Sequence, residues 1–164
     1  MTRRELREHC FKMLFCADFY PAEETKEQLE QYFEAPEEEE STPEGGLQIV
    51  HQVDMDEKDR SYLIKKAGAA MDRVPELDAR INEVAEGWKT RRMGKAELTI
   101  LRLALYEILY DEEIPQKVAI NEAVELAKKF GGDDSPSFIN GVLAKLVRAD
   151  AEKKEQQTPD TAGL

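Results

Sequence analysis

Two cysteines and two histidines leave this 164-residue chain almost without soft metal ligands. They are His9, Cys10, Cys16 and His51, and their spacing fits no zinc pattern. Cys10 and Cys16 lie ~240° apart round a helix, so they do not converge on one ion. Two thiols make no disulfide framework, and the chain reads as cytoplasmic with reduced cysteines. Neither a metal nor a cofactor is expected. No run of about 18 apolar residues occurs, so no membrane span is expected. Met1-Thr2-Arg3-Arg4-Glu5 leads straight into an amphipathic pattern without an apolar h-region, which excludes a secretory signal. A phosphate-binding glycine loop is missing too. Gly87 and Gly94-Lys95 are too widely spaced for one, Ala96 stands where Ser or Thr is needed, and no strand precedes them.

Positive charge is scarce overall: the net charge is −12. Its distribution matters more than its sum. Residues 22–60 hold fourteen acids, Glu37 to Glu40 among them, and only three bases, Lys26, Lys58 and Arg60. The rest of the chain is close to neutral. The first twenty residues are slightly basic, with Arg3, Arg4, Arg7 and Lys12 against Glu5, Glu8 and Asp18. A basic face can therefore exist if the acidic block lies elsewhere.

What is present is helical periodicity. Leu6, Cys10, Met13, Leu14 and Ala17 share one face of a helix predicted over 3–19. Thr2 and Glu5 have the spacing of a capping box, and Pro21 marks the stop. An acidic helix over 22–34 is anchored by Leu29, Tyr32 and Phe33. Residues 35–46, with two prolines, two glycines and the glutamate run, read as a loop. That run is either simply solvated or an acidic decoy or docking arm. Leu47 to Val53 is too short to assign. Further helices are predicted over 56–72, then from Pro75 to Gly87 with Trp88 packing back on the bundle, and over 94–111. The last two run from Pro115 to Phe130, stopped by Gly131-Gly132, and from Ser135-Pro136 to about Lys154. The segment from Leu98 to Leu109 is apolar nearly all round, which marks a helix buried by several neighbours. The polar tail from 156 to 164 is expected to be disordered. The fold class is all-α: about seven helices in two small helical bundles sharing a central buried helix, with residues 1–155 as one domain.

Candidate chemistry is thin. Glu107, Glu122 and Glu125 sit on helices without a His, Lys or Ser partner in a shared motif. They are expected at helix surfaces or as caps rather than as an acid–base pair. Arg3 and Arg7 lie one turn apart at a helix start, where cations oppose the macrodipole. That placement fits either a solvated helix start or a phosphate site, for which the guanidinium fork is suited. Arg102 is the lone charge inside the most apolar helix, so it must reach an edge, a partner or a nearby acid.

Three ordered blocks carry a resemblance. They are Leu101 to Glu107 (LRLALYE), Pro115 to Gly131 (PQKVAINEAVELAKKFG) and Asp133 to Leu143 (DDSPSFINGVL). A weaker opening, Arg3-Arg4-Glu5-Leu6-Arg7-Glu8, precedes them. Together they resemble the NusB family, strongly over 98–146 and more weakly over 3–17; residues 22–75 match only in helical character. The resemblance implies an all-α fold of seven helices in two bundles. It implies binding of boxA-type single-stranded RNA in nascent transcripts together with NusE, a small-subunit ribosomal protein. The pair then acts in the RNA polymerase antitermination complex, notably in ribosomal RNA operons. By position, Arg3, Arg4 and Arg7 match the family's arginine-rich opening, and Arg102 and Phe138 match its RNA face. Bases on phosphates and an aromatic ring under a base are what a single strand needs. For Phe138 ordinary core packing is the competing expectation. Asn121 and Asn140 are expected to cap or cross-link helices.

The chain departs from the family in a thinner arginine opening and in the acidic stretch 35–46, which looks like an insertion. Both bear on RNA affinity or on dependence on NusE. A second class of function is a helical adaptor that docks NusE without binding RNA. A third is enzymatic, because similar helical domains precede RNA cytosine methyltransferases. The sequence given shows no glycine-rich cofactor fold, and no catalytic activity is expected.

Overall fold

A computed structural model describes residues 1–34, 36–41, 47–52, 55–85 and 89–157. Seven α-helices are present among them: α1 (Arg3–Ala17), α2 (Thr25–Gln31), α3 (Glu57–Asp72), α4 (Val74–Val84), α5 (Lys95–Tyr110), α6 (Gln116–Phe130) and α7 (Ser135–Gln157). Short 3-10 turns cover Ala22–Glu24 and Thr90–Arg92. The chain divides into two compact units, Met1–Asp72 and Arg73–Leu164. No helix among the described residues is long and apolar enough to cross a membrane.

In the first unit α1, α2 and α3 pack on one another. Helix α1 starts where the sequence places it. Thr2 Oγ1 accepts the Glu5 N–H at 3.1 Å, and a Glu5 carboxylate oxygen accepts the Thr2 N–H at 3.4 Å, a complete capping box. Its apolar stripe of Cys10, Met13, Leu14 and Ala17, with Phe11, is buried against Leu29, Phe33, Leu63, Ala67 and Ala70. The acidic helix is shorter than predicted, beginning at Thr25 after the 3-10 turn.

Between α2 and α3 the loop expected over 35–46 is corrected at Pro36–Ser41, and the unassigned stretch from Leu47 is strand as far as Gln52. Pro36–Ser41 (β1) and Leu47–Gln52 (β2) form an antiparallel ribbon, pairing Glu39 with Ile49, Glu40 with Gln48 and Ser41 with Leu47. Its register shifts around Glu38. A glutamate run has low strand propensity, so it reads as loop by itself. The partner strand, with Ile49 and Val50, overrides that preference through backbone pairing. Residues 35 and 42–46 of the predicted loop lie outside the described residues, as do Gly87 and Trp88 and the tail from 158. Helix α7 itself runs to Gln157, three residues beyond the predicted end.

The second unit is built round α5, which packs on α4, α6 and α7. Leu98, Thr99, Ile100, Leu101, Leu103, Ala104 and Leu105 are all buried, as a helix apolar all round requires. They meet Leu77 and Ile81 of α4, Ala119, Ala123, Leu126 and Ala127 of α6, and Ile139, Val142, Leu143 and Leu146 of α7. Glu107 departs from expectation: at 1% exposure it is a buried residue of α5, not a surface group. Neighbouring helices on several sides leave no solvent face at its position.

Polar ties fix the helix ends. Gly131 closes α6 with its N–H on the Ala127 carbonyl at 2.9 Å. A Cβ there would lie 2.6 Å from Ser135 Cβ, so only glycine permits this approach. Ser135 Oγ accepts the Gly132 N–H and donates to Glu97, tying the start of α7 to the first turn of α5. Lys153 pairs with Glu83 at 3.0 Å and Arg80 pairs with Asp150, pinning α7 along α4. Where α5 ends, the Tyr110 hydroxyl donates to Glu76 at 2.7 Å while the Arg73 guanidinium lies 3.8 Å over the Tyr110 ring. The Tyr110 hydrogen bond, helped by Arg73, holds the Glu76 carboxyl below the usual carboxylate range. The same bond to Glu76 raises the Tyr110 phenol.

Candidate nucleic-acid interface

The five residues singled out from the sequence fall into two groups. Arg3, Arg4 and Arg7 belong to the first unit, on α1. Arg102 and Phe138 belong to the second, on α5 and α7.

The capping box explains how arginines are tolerated in the first turn of α1. Glu5 satisfies the Thr2 N–H and places a negative charge at the positive end of the helix, offsetting part of the repulsion. Arg3 and Arg4 are exposed beside it. Arg7 is different. The sequence sets it one turn from Arg3, as though both faced solvent, yet it is only 8% exposed. Arg7 shares its face with buried Cys10 and Leu14, at i+3 and i+7, while Arg3 stands on the same side at the exposed start of the helix.

Arg102 is committed to an acid. Its Nε and Nη2 each donate at 2.7 Å to the two carboxylate oxygens of Asp78 on α4. This is a bidentate pair, with side-chain exposures of 11% for Arg102 and 21% for Asp78. Of the fates open to a lone charge in an apolar helix, the nearby acid is the one observed. Phe138 is half-buried in the first turn of α7, where its N–H reaches the Asp134 carbonyl at 3.1 Å. The Glu97–Ser135 bridge fixes the start of α5, which carries Arg102, against the start of α7, which carries Phe138.

Two features escaped the sequence reading. The first is the segment 89–95, with Lys89, Arg91, Arg92 and Lys95 all exposed and no acid between them. Asn82 builds it. Its Oδ1 accepts the Thr90 N–H at 2.8 Å, and its backbone carbonyl accepts from Lys89 Nζ at 2.7 Å. The 3-10 turn so held presents Arg91 and Arg92 together. The signal was legible, since no other seven-residue window holds four bases without an acid. The second is an aromatic ladder at four-residue spacing. Phe11, Phe15 and Phe19 have ring centroids 6.1 and 5.4 Å apart. Helical spacing puts Phe11 and Phe15 on the same side of α1 as Arg4. The ladder ends in the open, with Phe19 62% and Tyr20 48% exposed. Arg3 and Arg4 thus stand exposed at one end of α1 and the bare rings of Phe19 and Tyr20 just past the other, ~22 Å along the helix direction. Among the described residues no cluster of His, Cys, Asp and Glu could hold a metal ion.

The fold is that of a small, predominantly helical protein whose helices form two compact units. The chain belongs to the NusB family, whose model matches residues 4–148. It is 45% identical over 147 residues to the transcription antitermination protein NusB of Lachnoclostridium phytofermentans, covering 90% of this chain and 99% of that one. It is 46% identical to the protein of the same description from Agathobacter rectalis, over 90% and 100% of the two chains. Among solved structures, NusB of T. maritima superposes with a TM-score of 0.71 at 28% identity, over 90% of this chain and 92% of that one. A crystal structure of the antitermination factors NusB and NusE with double-stranded RNA matches at a TM-score of 0.64. It covers 91% of this chain and 99% of that one, and at 22% identity it speaks for the fold.

Proposed function

We propose that this protein is an RNA-binding transcription antitermination factor. In this reading it binds boxA-type RNA of nascent ribosomal transcripts together with NusE and helps RNA polymerase read through. It works in the cytoplasm, as one domain over 1–155, by binding and without catalysis. The observation that carries the reading is the exposure of Arg3 and Arg4 at a helix start and of Arg91 and Arg92 on a braced turn, in a chain of net charge −12. Each unit thereby offers a phosphate-binding group of its own. Exposed Phe19, with Phe15 behind it, and half-buried Phe138 supply rings on which bases stack, while Phe11 is buried and only backs the ladder. NusE enters because a NusB of this fold is known in complex with NusE and RNA. Arg7 and Arg102 enter as supports rather than phosphate contacts. One is buried and the other is forked onto Asp78.

A helical adaptor that docks NusE without binding RNA is the second reading, favoured by the commitment of Arg102 to Asp78. Salt dependence separates the two. Neutralising about four phosphates on a single strand, one for each of Arg3, Arg4, Arg91 and Arg92, gives a slope near −3 for log K against log salt. The Arg3→Ala/Arg4→Ala variant is expected to flatten it by about 1.4, two phosphate contacts' worth. A slope of zero for the unaltered protein contradicts RNA binding and leaves the adaptor.

A further inference from the structure

Helix α3 carries a second set of exposed groups, unrelated to the family blocks. Tyr62 is 43% exposed on its outer face. Lys58 stands four residues before it and Lys65 three after, both exposed. That spacing puts the three side chains in one row, rising ~10 Å along the helix. Lys66 stands behind the row: its Nζ lies 3.4 Å from the Tyr62 hydroxyl and 5.7 Å from the ring centroid. The two distances together set the ammonium beyond the hydroxyl end of the ring, not over its face. It anchors the phenol and leaves the flat faces of the ring uncovered by that cation. Glu57 and Asp72 stand at the two ends of the helix, Asp72 on the face of the row but two turns beyond Lys65. Asp59, which adjoins Lys58 in sequence, is engaged by the Met1 α-ammonium at 3.3 Å. That ion pair also joins the start of α1, with Arg3 and Arg4, to the first turn of α3, so the two basic sets adjoin within one unit.

We infer that the Lys58–Tyr62–Lys65 row of α3 is a second single-stranded RNA contact, holding nucleotides that flank those bound at Arg3 and Arg4. The inference rests on the RNA-binding reading above. The ring supplies a stacking platform of fixed tilt and the two lysines supply phosphate contacts. This is the combination that holds a strand without regard to its sequence. It follows that flanking nucleotides add affinity whatever their bases.

The test uses the full chain and two RNAs, a boxA-type core and the same core extended by single-stranded uridines at both ends. The unaltered protein is expected to bind the extended RNA more tightly. Tyr62→Ala should weaken binding of the extended RNA by roughly tenfold, from the loss of one stacked base, and Tyr62→Phe by little. Lys58→Gln/Lys65→Gln should flatten the salt slope by about 1.4 on the extended RNA and leave the core RNA unchanged. These side chains are exposed, and unaltered thermal unfolding of the variants verifies that folding is intact. Equal binding of extended RNA by the unaltered protein and the variants overturns the inference while the RNA reading stands. So does loss of NusE capture with RNA binding intact, which makes the row a protein contact. Failure of the unaltered protein to bind either RNA removes both readings together.

Discussion

Leu101→Ala should destabilise the second unit by about 3 kcal/mol, within the range for a buried leucine cut back to alanine. Leu101 has no exposure and sits on α5, which packs on α4, α6 and α7. The cost has two parts. The lost methyl and methylene groups forfeit their transfer free energy, and the space they leave stays open where the walls cannot close. Helices on several sides, pinned by the Glu97–Ser135, Glu83–Lys153 and Arg80–Asp150 ties, resist closing. Leu101→Met keeps the volume and should cost less than about 1.5 kcal/mol. Urea unfolding of the three proteins measures the difference. A cost below about 1 kcal/mol for the alanine variant contradicts a central role for α5.

Asp78→Ala is expected to cost about 2–3 kcal/mol, because it strands the Arg102 guanidinium at 11% exposure without its carboxylate. The loss is smaller than for a fully enclosed pair, since Asp78 still touches water. The informative companion is Asp78→Leu/Arg102→Met. Apolar groups of similar volume replace both charges, the desolvation cost goes with them, and most of the stability returns. A double-mutant cycle isolates the pairwise coupling, expected to exceed about 1 kcal/mol. The paired variant also reports on function. If Arg102 serves RNA only by holding α4 and α5 together, RNA affinity survives in it. If RNA affinity collapses while the variant stays folded, Arg102 leaves Asp78 to meet the RNA, and its assignment as a support is wrong.

The helices were legible because each has a signal within one or two turns. The Thr2–Glu5 box, Pro75 in the first turn of α4 and Gly131 after α6 mark boundaries that the structure keeps within a few residues. The apolar run on α5 announced a buried helix before any neighbour was known. The β1–β2 ribbon was not legible, because a glutamate run becomes a strand only through a partner across a turn. The same limit governed the site. Asp78 lies 24 residues before Arg102, so nothing local says which acid the guanidinium finds. The burial of Arg7 depends on where α2 and α3 pack, which α1 alone does not record. Arg91, Arg92 and the aromatic ladder were readable from charge and spacing. Neither matches a motif: the basic segment departs from the phosphate-loop pattern, and the rings lie off the apolar stripe of Cys10, Met13, Leu14 and Ala17.

The central claim is sequence-preferring RNA binding strengthened by NusE. Its most direct test is fluorescence anisotropy of a labelled boxA-type RNA against a scrambled RNA, titrated with the protein alone and with NusE. The account predicts tighter binding of the boxA-type RNA, a further gain when NusE is present, and loss of both in the Arg3→Ala/Arg4→Ala variant. Equal, weak binding of both RNAs while NusE is still captured contradicts it and makes the protein an adaptor.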